Sequence, residues 1–411
     1  MLATTVELEP DSRLGGLLFS GEVDGARGML EAIAASVITV TGLVFTLTVV
    51  ILQLASSQFS PRLLLTFLRD WGNQVVLSVF LATYAYSLAV LRTIRGGEDP
   101  FVPQVAVTGS FVLAMASVAA LVYFIHHVTQ EIRVDTMMRD VAKETRRIID
   151  QVHPQPDDDR DAAAMPPVPH GAIALRAAGY GFIQDVAIDS LFALAVDNDL
   201  VLRLDAPVGG QIAEGAPMAW IWRSDESPAS PELSGPVRRD VEAALQIGHE
   251  RTPQRDVGFG LRQLVDIAAK ALSPAVNDPT TAVHAVGHLG SLLCVLSGRH
   301  IEPLVRADET GVLRLAIPGF DFEDYLELAC GQIRRYGAAE PAATRALLWM
   351  LREIALCTSA AHVRQCVQTQ AAMILAAAER ETPEPYDVDR VRRVANAVAE
   401  ALDVESLRPG L

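Results

Sequence analysis

Apolar residues in this chain fall into two regimes: long unbroken runs up to about residue 130, and short runs spaced between charges after about residue 170. Three windows, 32–61, 71–91 and 100–130, contain no Asp, Glu, Lys or Arg. Each exceeds the roughly 20 residues that an α-helix needs to cross a hydrocarbon core of about 30 Å. The pattern predicts three transmembrane helices, at residues 32–58, 75–91 and 105–125. Ser60-Pro61 stops the first, because proline disfavours helical geometry in the residue before it. Residues 62–74 set Leu63, Leu64, Phe67 and Leu68 opposite Arg62, Arg69 and Asp70, which suits a helix lying on the membrane surface. Beyond the third run, Ile132, Met138, Val141, Ile148 and Ile149 keep helical spacing between charges, so the helix is expected to run on past the lipid.

Residues 151–169 are rich in proline and carry Asp157-Asp158-Asp159-Arg160-Asp161, the composition of a solvated hinge. From 170 to 222 short apolar strands alternate with Gly, Pro and Asn turns, which predicts a small all-β barrel or sandwich. From 237 to 411 the periodicity is mainly helical, broken by a hairpin around Asp308-Glu309-Thr310-Gly311. The expected layout is an extracytoplasmic segment 1–31, a transmembrane domain 32–130, a helical extension and linker 131–169, a β domain 170–222 and a mostly helical α+β domain 237–411.

Composition and charge sharpen this layout. Half of the residues are hydrophobic and 20% are charged, and the three charge-free windows, each long enough to cross a bilayer, exclude a purely soluble enzyme. The net charge of −16 is concentrated after residue 149, where 37 acids face 23 bases, so a nucleic-acid partner is not expected. Segments 56–74 and 131–147 hold seven bases against four in the amino-terminal segment and the 92–104 loop. The positive-inside rule then puts the amino terminus outside and the large carboxy-terminal part in the cytoplasm. Cys294, Cys330, Cys357 and Cys366 lack any CxxC pairing and read as reduced, buried thiols.

Two stretches carry a family resemblance. One runs from Phe259-Gly260-Leu261-Arg262-Gln263 through Asp266 and Lys270 to Ser273-Pro274-Ala275-Val276-Asn277-Asp278-Pro279-Thr280-Thr281. The other is Ser56-Ser57-Gln58-Phe59-Ser60-Pro61-Arg62, followed by Phe67-Leu68-Arg69-Asp70 and Gly72-Asn73-Gln74. Both resemble the bacterial predicted membrane proteins of domain-of-unknown-function family 2254. The resemblance implies a multi-pass protein of the bacterial inner membrane and brings no established activity. The glycine rhythm of 208–221 is also similar to lipoyl- and biotinyl-type modules. Such a carrier needs a lysine, and none lies between Lys143 and Lys270, so no swinging-arm cofactor is expected.

Candidate sites are few. At 100° per residue Thr39, Gly42, Thr46, Gln53 and Ser57 share one face of the first span. That polar seam lines a wet path in a homo-oligomer or lets helices pack closely. Around the second motif, Arg262, Asp266, Lys270, Ser273, Asn277, Asp278, Thr280 and Thr281 form a corner between two helices, which holds an anion at a helix N-terminus or simply fixes the turn. His126-His127 sit at the end of the third span, as an anchor or a pH sensor. His284 and His288 share a helix face without a nearby third ligand, so no metal is expected. Phosphate-loop, nucleophile-elbow and Cys-His signatures are missing, so no enzyme is expected. Two functions stay open: a homo-oligomeric channel-like or transport protein, and a membrane-anchored ligand-binding or signalling protein acting through its cytoplasmic part.

Overall fold

The computed structural model describes residues 19–58, 71–97, 99–131, 134–153, 155, 164–225 and 234–403. The chain divides into two units, Met1–Met137 and Met138–Leu411. Most of the surface connector expected at 62–74, and the acidic centre of the hinge, lie outside the described residues.

The first unit is built on α1 (Val23–Gln58), α2 (Trp71–Thr93) and α3 (Gln104–Glu131). The helices are longer than the charge-free runs: α1 starts nine residues ahead of Ala32, with Asp24 in its first turn, where an acid favours the helix dipole. Two apolar clusters join the three helices, one around Val37, Val44, Phe80 and Phe124 and one around Leu30, Val90, Ala106 and Val107. Within the bundle Thr83 Oγ1 and Ser117 Oγ bond across α2 and α3 at 3.0 Å. An antiparallel bridge between Arg95 and Phe101 closes the turn from α2 to α3, with Gly97 at φ +110° inside it.

In the second unit α4 (Val134–Val152) buries Met138, Val141, Thr145, Ile148 and Ile149, one face at helical spacing. Then follow β1 (Ile173–Arg176), β2 (Gly181–Val186), α5 (Ile188–Asp197), β3 (Leu200–Leu204), β4 (Gln211–Ile212), β5 (Pro217–Arg223), α6 (Ser234–Ala244) and β6 (Leu245–Gly248). The remainder is α7 (Val257–Ala271), α8 (Pro279–Leu296), β7 (Leu304–Ala307), β8 (Leu313–Ile317), α9 (Phe322–Gly337), α10 (Pro341–Cys357), α11 (Ala361–Glu381) and α12 (Pro385–Asp403).

The strands do not make the self-contained barrel or sandwich expected at 170–222. They form an open five-stranded sheet in the order β1-β5-β3-β8-β7 and a three-stranded sheet β4-β2-β6. Leu202 of β3 pairs in parallel with Leu315 of β8, so the hairpin inside the helical region completes the larger sheet. The physical reason lies in the core: Leu200, Leu202 and Leu204 are buried together with Leu315, Ile317, Val237 and Val241. Strands this apolar need cover that 170–222 cannot supply alone. Helices α7 to α12 pack as a second layer, with α10 against α8 and α12.

Among the described residues, four helices are long and apolar enough to cross a membrane: Val23–Ile51, Trp71–Thr93, Gln104–His127 and Pro279–Leu296. The fourth is α8, which the sequence pattern assigns to the cytoplasmic part. Ala282, Ala285, Val286, Leu289, Leu292, Leu293 and Leu296 of α8 are buried within the second unit.

Candidate functional site

The longer sequence motif becomes α7, a turn and α8, and its residues divide by task. Asp256 precedes α7 as N-cap, accepting from the Phe259 amide at 2.9 Å while Arg251 grips both its oxygens at 2.8 Å. The Asp256 carboxylate is almost fully buried, so the guanidinium fork is what makes a charge tenable there. Gly258 leaves the space that Arg251 fills, and Gly260 lets Thr145 of α4 lie directly on the α7 backbone.

The turn itself is closed by hydrogen bonds among its own residues. Ser273 Oγ donates to the Lys270 carbonyl at 2.7 Å, and the Asp278 amide donates to the Ala271 carbonyl at 2.8 Å. Asn277 takes φ +49°, a left-handed conformation that asparagine tolerates better than most residues. Asp278 caps α8, accepting from the Thr281 amide at 3.1 Å and the Thr281 hydroxyl at 2.6 Å, with Pro279 following as first helical residue. The Thr281 hydroxyl and then the backbone amides hold the Asp278 carboxyl below the usual carboxylate range. A negative Asp278 occupies the place that an anion would take at this N-terminus. Lys270 and Thr280 point outward, and Asp266 is half-buried.

Arg262 is not part of that corner. It sits eight residues before Lys270, about 12 Å along the helix, and lines a cavity of about 400 Å³ with Arg251, Arg335, Asp324, Glu327 and Tyr325.

A larger cavity of about 600 Å³ lies between the sheets and the helical layer of the second unit. Its wall carries His153 and Tyr325, both nearly inaccessible. Their side chains meet at 3.3 Å between His153 Nε2 and Tyr325 Oη, and the rings stand edge to face. Burial pushes the imidazole down to about 4, against an ordinary value of 6.5, while the His300 backbone partly opposes the shift. His153 is therefore neutral at physiological pH, and Tyr325 is held protonated by the same burial. Arg255, at φ +57°, and Arg306 line the same cavity. The residue pattern pointed to neither side of this pair: His153 ends the helix before the hinge, and Tyr325 lies 172 positions away.

Thr39, Gly42, Thr46 and Gln53 are exposed on α1, and Thr39 and Thr46 donate to carbonyls four residues back. The side chain of Ser57 lies outside the described residues. His127 is close to Gly72 and stacks on Tyr123 at 5.3 Å. His284 and His288 lie on α8, and among the described residues no three His, Cys, Asp or Glu side chains group to hold a metal ion. Asp321 and Asp324 form a capping box on α9. Glu327 accepts from Gln370 at 2.6 Å. The cysteines are free, but they are not uniformly buried: Cys330 is enclosed and its thiol pushed up to about 12, whereas Cys357 is exposed.

A family model described as "Predicted membrane protein (DUF2254)" matches residues 1–353, and the chain belongs to that family. Uncharacterized proteins of Mycobacterium bovis and of Mycobacterium tuberculosis are each 43% identical over 397 residues, which covers 96% of this chain and 75% of the relative. No solved structure matches.

Proposed function

We propose that this DUF2254 member is a homo-oligomeric, channel-like protein of the bacterial inner membrane, with three spans, its amino terminus outside and its second unit in the cytoplasm. One observation carries the reading. The buried side of α1 runs through Ala26, Leu30, Ile33, Val37 and Val44. At 100° per residue, Thr39, Gly42, Thr46 and Gln53 lie about 180° around the helix from that stripe.

The seam therefore does not serve contacts among the helices of one chain. A Cβ on Gly42 would meet no atom within 4 Å. The threonine hydroxyls satisfy themselves on the helix backbone, but the Gln53 amide is too polar to be left in lipid. A second copy of α1, or water enclosed by several copies, gives it partners. The fourth apolar helix, α8, is read as core of the second unit because its buried positions run along its whole length. The reading involves no catalytic step, cofactor or nucleic acid.

The test is ion efflux from proteoliposomes, with native mass spectrometry to count subunits. Replacing Thr46 and Gln53 by leucine is expected to lower efflux at least tenfold while the oligomer persists. Efflux unchanged by the double substitution would make the seam a packing surface. A second reading, a membrane-anchored ligand-binding protein, is favoured by the cavity beside His153 and Tyr325.

A further inference from the structure

The 600 Å³ cavity of the second unit is of a size that holds a small organic ligand. Val186, Ile188, Val208, Leu304 and Ile317 give it an apolar wall, and Phe320 adds an aromatic one. The wall's charges are unequal: Arg255 and Arg306 face a single carboxylate, Glu302, which lies 3.5 Å from His300 Nδ1.

The two arginines are held by exchangeable partners. Arg306 bonds Asp189 at 2.6 Å, but the Asp189 side chain is 93% exposed, so water screens the pair. The guanidinium also lies over the Phe192 ring at 4.0 Å, which fixes its plane without using its donors. Arg255 approaches Asp185 only to 4.0 Å, with both side chains nearly half exposed. Its left-handed backbone is the kind of local strain found at ligand clamps. At the inner wall the His153–Tyr325 pair offers hydrogen bonding without charge.

We propose that this cavity binds a small organic anion, an apolar body of about naphthalene size carrying one carboxylate or phosphate, with Arg306 and Arg255 taking the anion and the apolar wall taking the body. The proposal rests on the second reading above and specifies its ligand class. A guanidinium fork matches both anions, and desolvating it inside an apolar mouth strengthens the attraction. Displacing the exposed Asp189 and the half-exposed Asp185 costs little because their carboxylates return to water.

The test is equilibrium dialysis of the full-length protein in lipid nanodiscs, with empty nanodiscs subtracted. The probes are 2-naphthoate, 2-naphthyl phosphate and uncharged 2-naphthalenemethanol, with inorganic phosphate as competitor. We expect saturable one-to-one binding of an anionic probe, at least tenfold weaker binding of the uncharged one, and only weak competition by phosphate alone. Arg306→Gln and Arg255→Gln should each weaken anion binding about tenfold, Arg306→Lys should retain part of it, and filling the space with Val208→Trp or Leu304→Trp should abolish it with an unaltered unfolding profile. Preference between carboxylate and phosphate identifies the natural head group. Equal binding of charged and uncharged probes, lost in the tryptophan variants, would overturn the anion class and leave the ligand-binding reading standing. Absence of saturable binding by every probe would overturn both.

Discussion

Two residues show how far single side chains decide the second unit. Gly260 is in the middle of α7, where alanine would be favoured by about 1 kcal/mol on helix propensity alone. A Cβ there would drive into the Thr145 hydroxyl on α4. Overpacking of this kind costs about 1–3 kcal/mol, so Gly260→Ala is expected to lower the unfolding temperature despite its better propensity. Adding Thr145→Ala, which removes the nearest atom, should recover much of the loss; an equal loss in the double variant would refute the contact. His153 makes a pH prediction. Its folded pKa, about 4, lies below the ordinary 6.5, so the unfolded chain binds the extra proton first. Stability from this group is complete above about pH 6.5 and is lost as pH falls towards 4, by about 3 kcal/mol in all. His153→Asn should flatten that part of the acid limb relative to the parent in melts between pH 7 and pH 4.

At the scale of elements, the Asp278 cap is the most separable contact of the α7–α8 corner. Asp278→Ala is expected to cost about 1 kcal/mol, whereas Asp278→Asn, which keeps an acceptor for the Thr281 amide, should cost less. Denaturant unfolding distinguishes the two, and a loss of anion binding with stability unchanged would restore a ligand role to the corner. Residues that act within one helix were legible in the sequence. The Asp278-Pro279 start of α8, the apolar face of α4 and the helices from Phe322 to Asp403 all follow from local spacing and capping chemistry. What was not legible depends on distance along the chain. The β3–β8 pair joins Leu202 to Leu315, and no local pattern distinguishes that parallel partner from another hairpin. The cavity is likewise assembled from α4, the sheets and α9, so His153 gave only the signal of a histidine before a proline-rich hinge. The seam on α1 was legible as a stripe, but its orientation away from α2 and α3 needed the packed bundle.

For the whole molecule, the side of the membrane that each part occupies turns on α8. By length and hydropathy α8 could cross a bilayer, yet its apolar side chains are enclosed by their own unit. A helix that spanned would carry the chain across, so residues before and after it would face opposite compartments. Val276, exposed just ahead of α8, and Cys357, exposed at the end of α10, are suitable reporters. With Cys294, Cys330 and Cys366 replaced by alanine, native Cys357 is one single-cysteine protein; Val276→Cys with Cys357 also replaced is the other. A membrane-impermeant maleimide should label both in inside-out vesicles and neither in intact cells. Labelling of Val276→Cys from one side and Cys357 from the other would make α8 a fourth span and return its buried face to contacts inside the membrane. Labelling of both from outside would keep three spans but invert the molecule, moving the arginine-lined cavity to the extracytoplasmic side, where its anion would have to be an external solute.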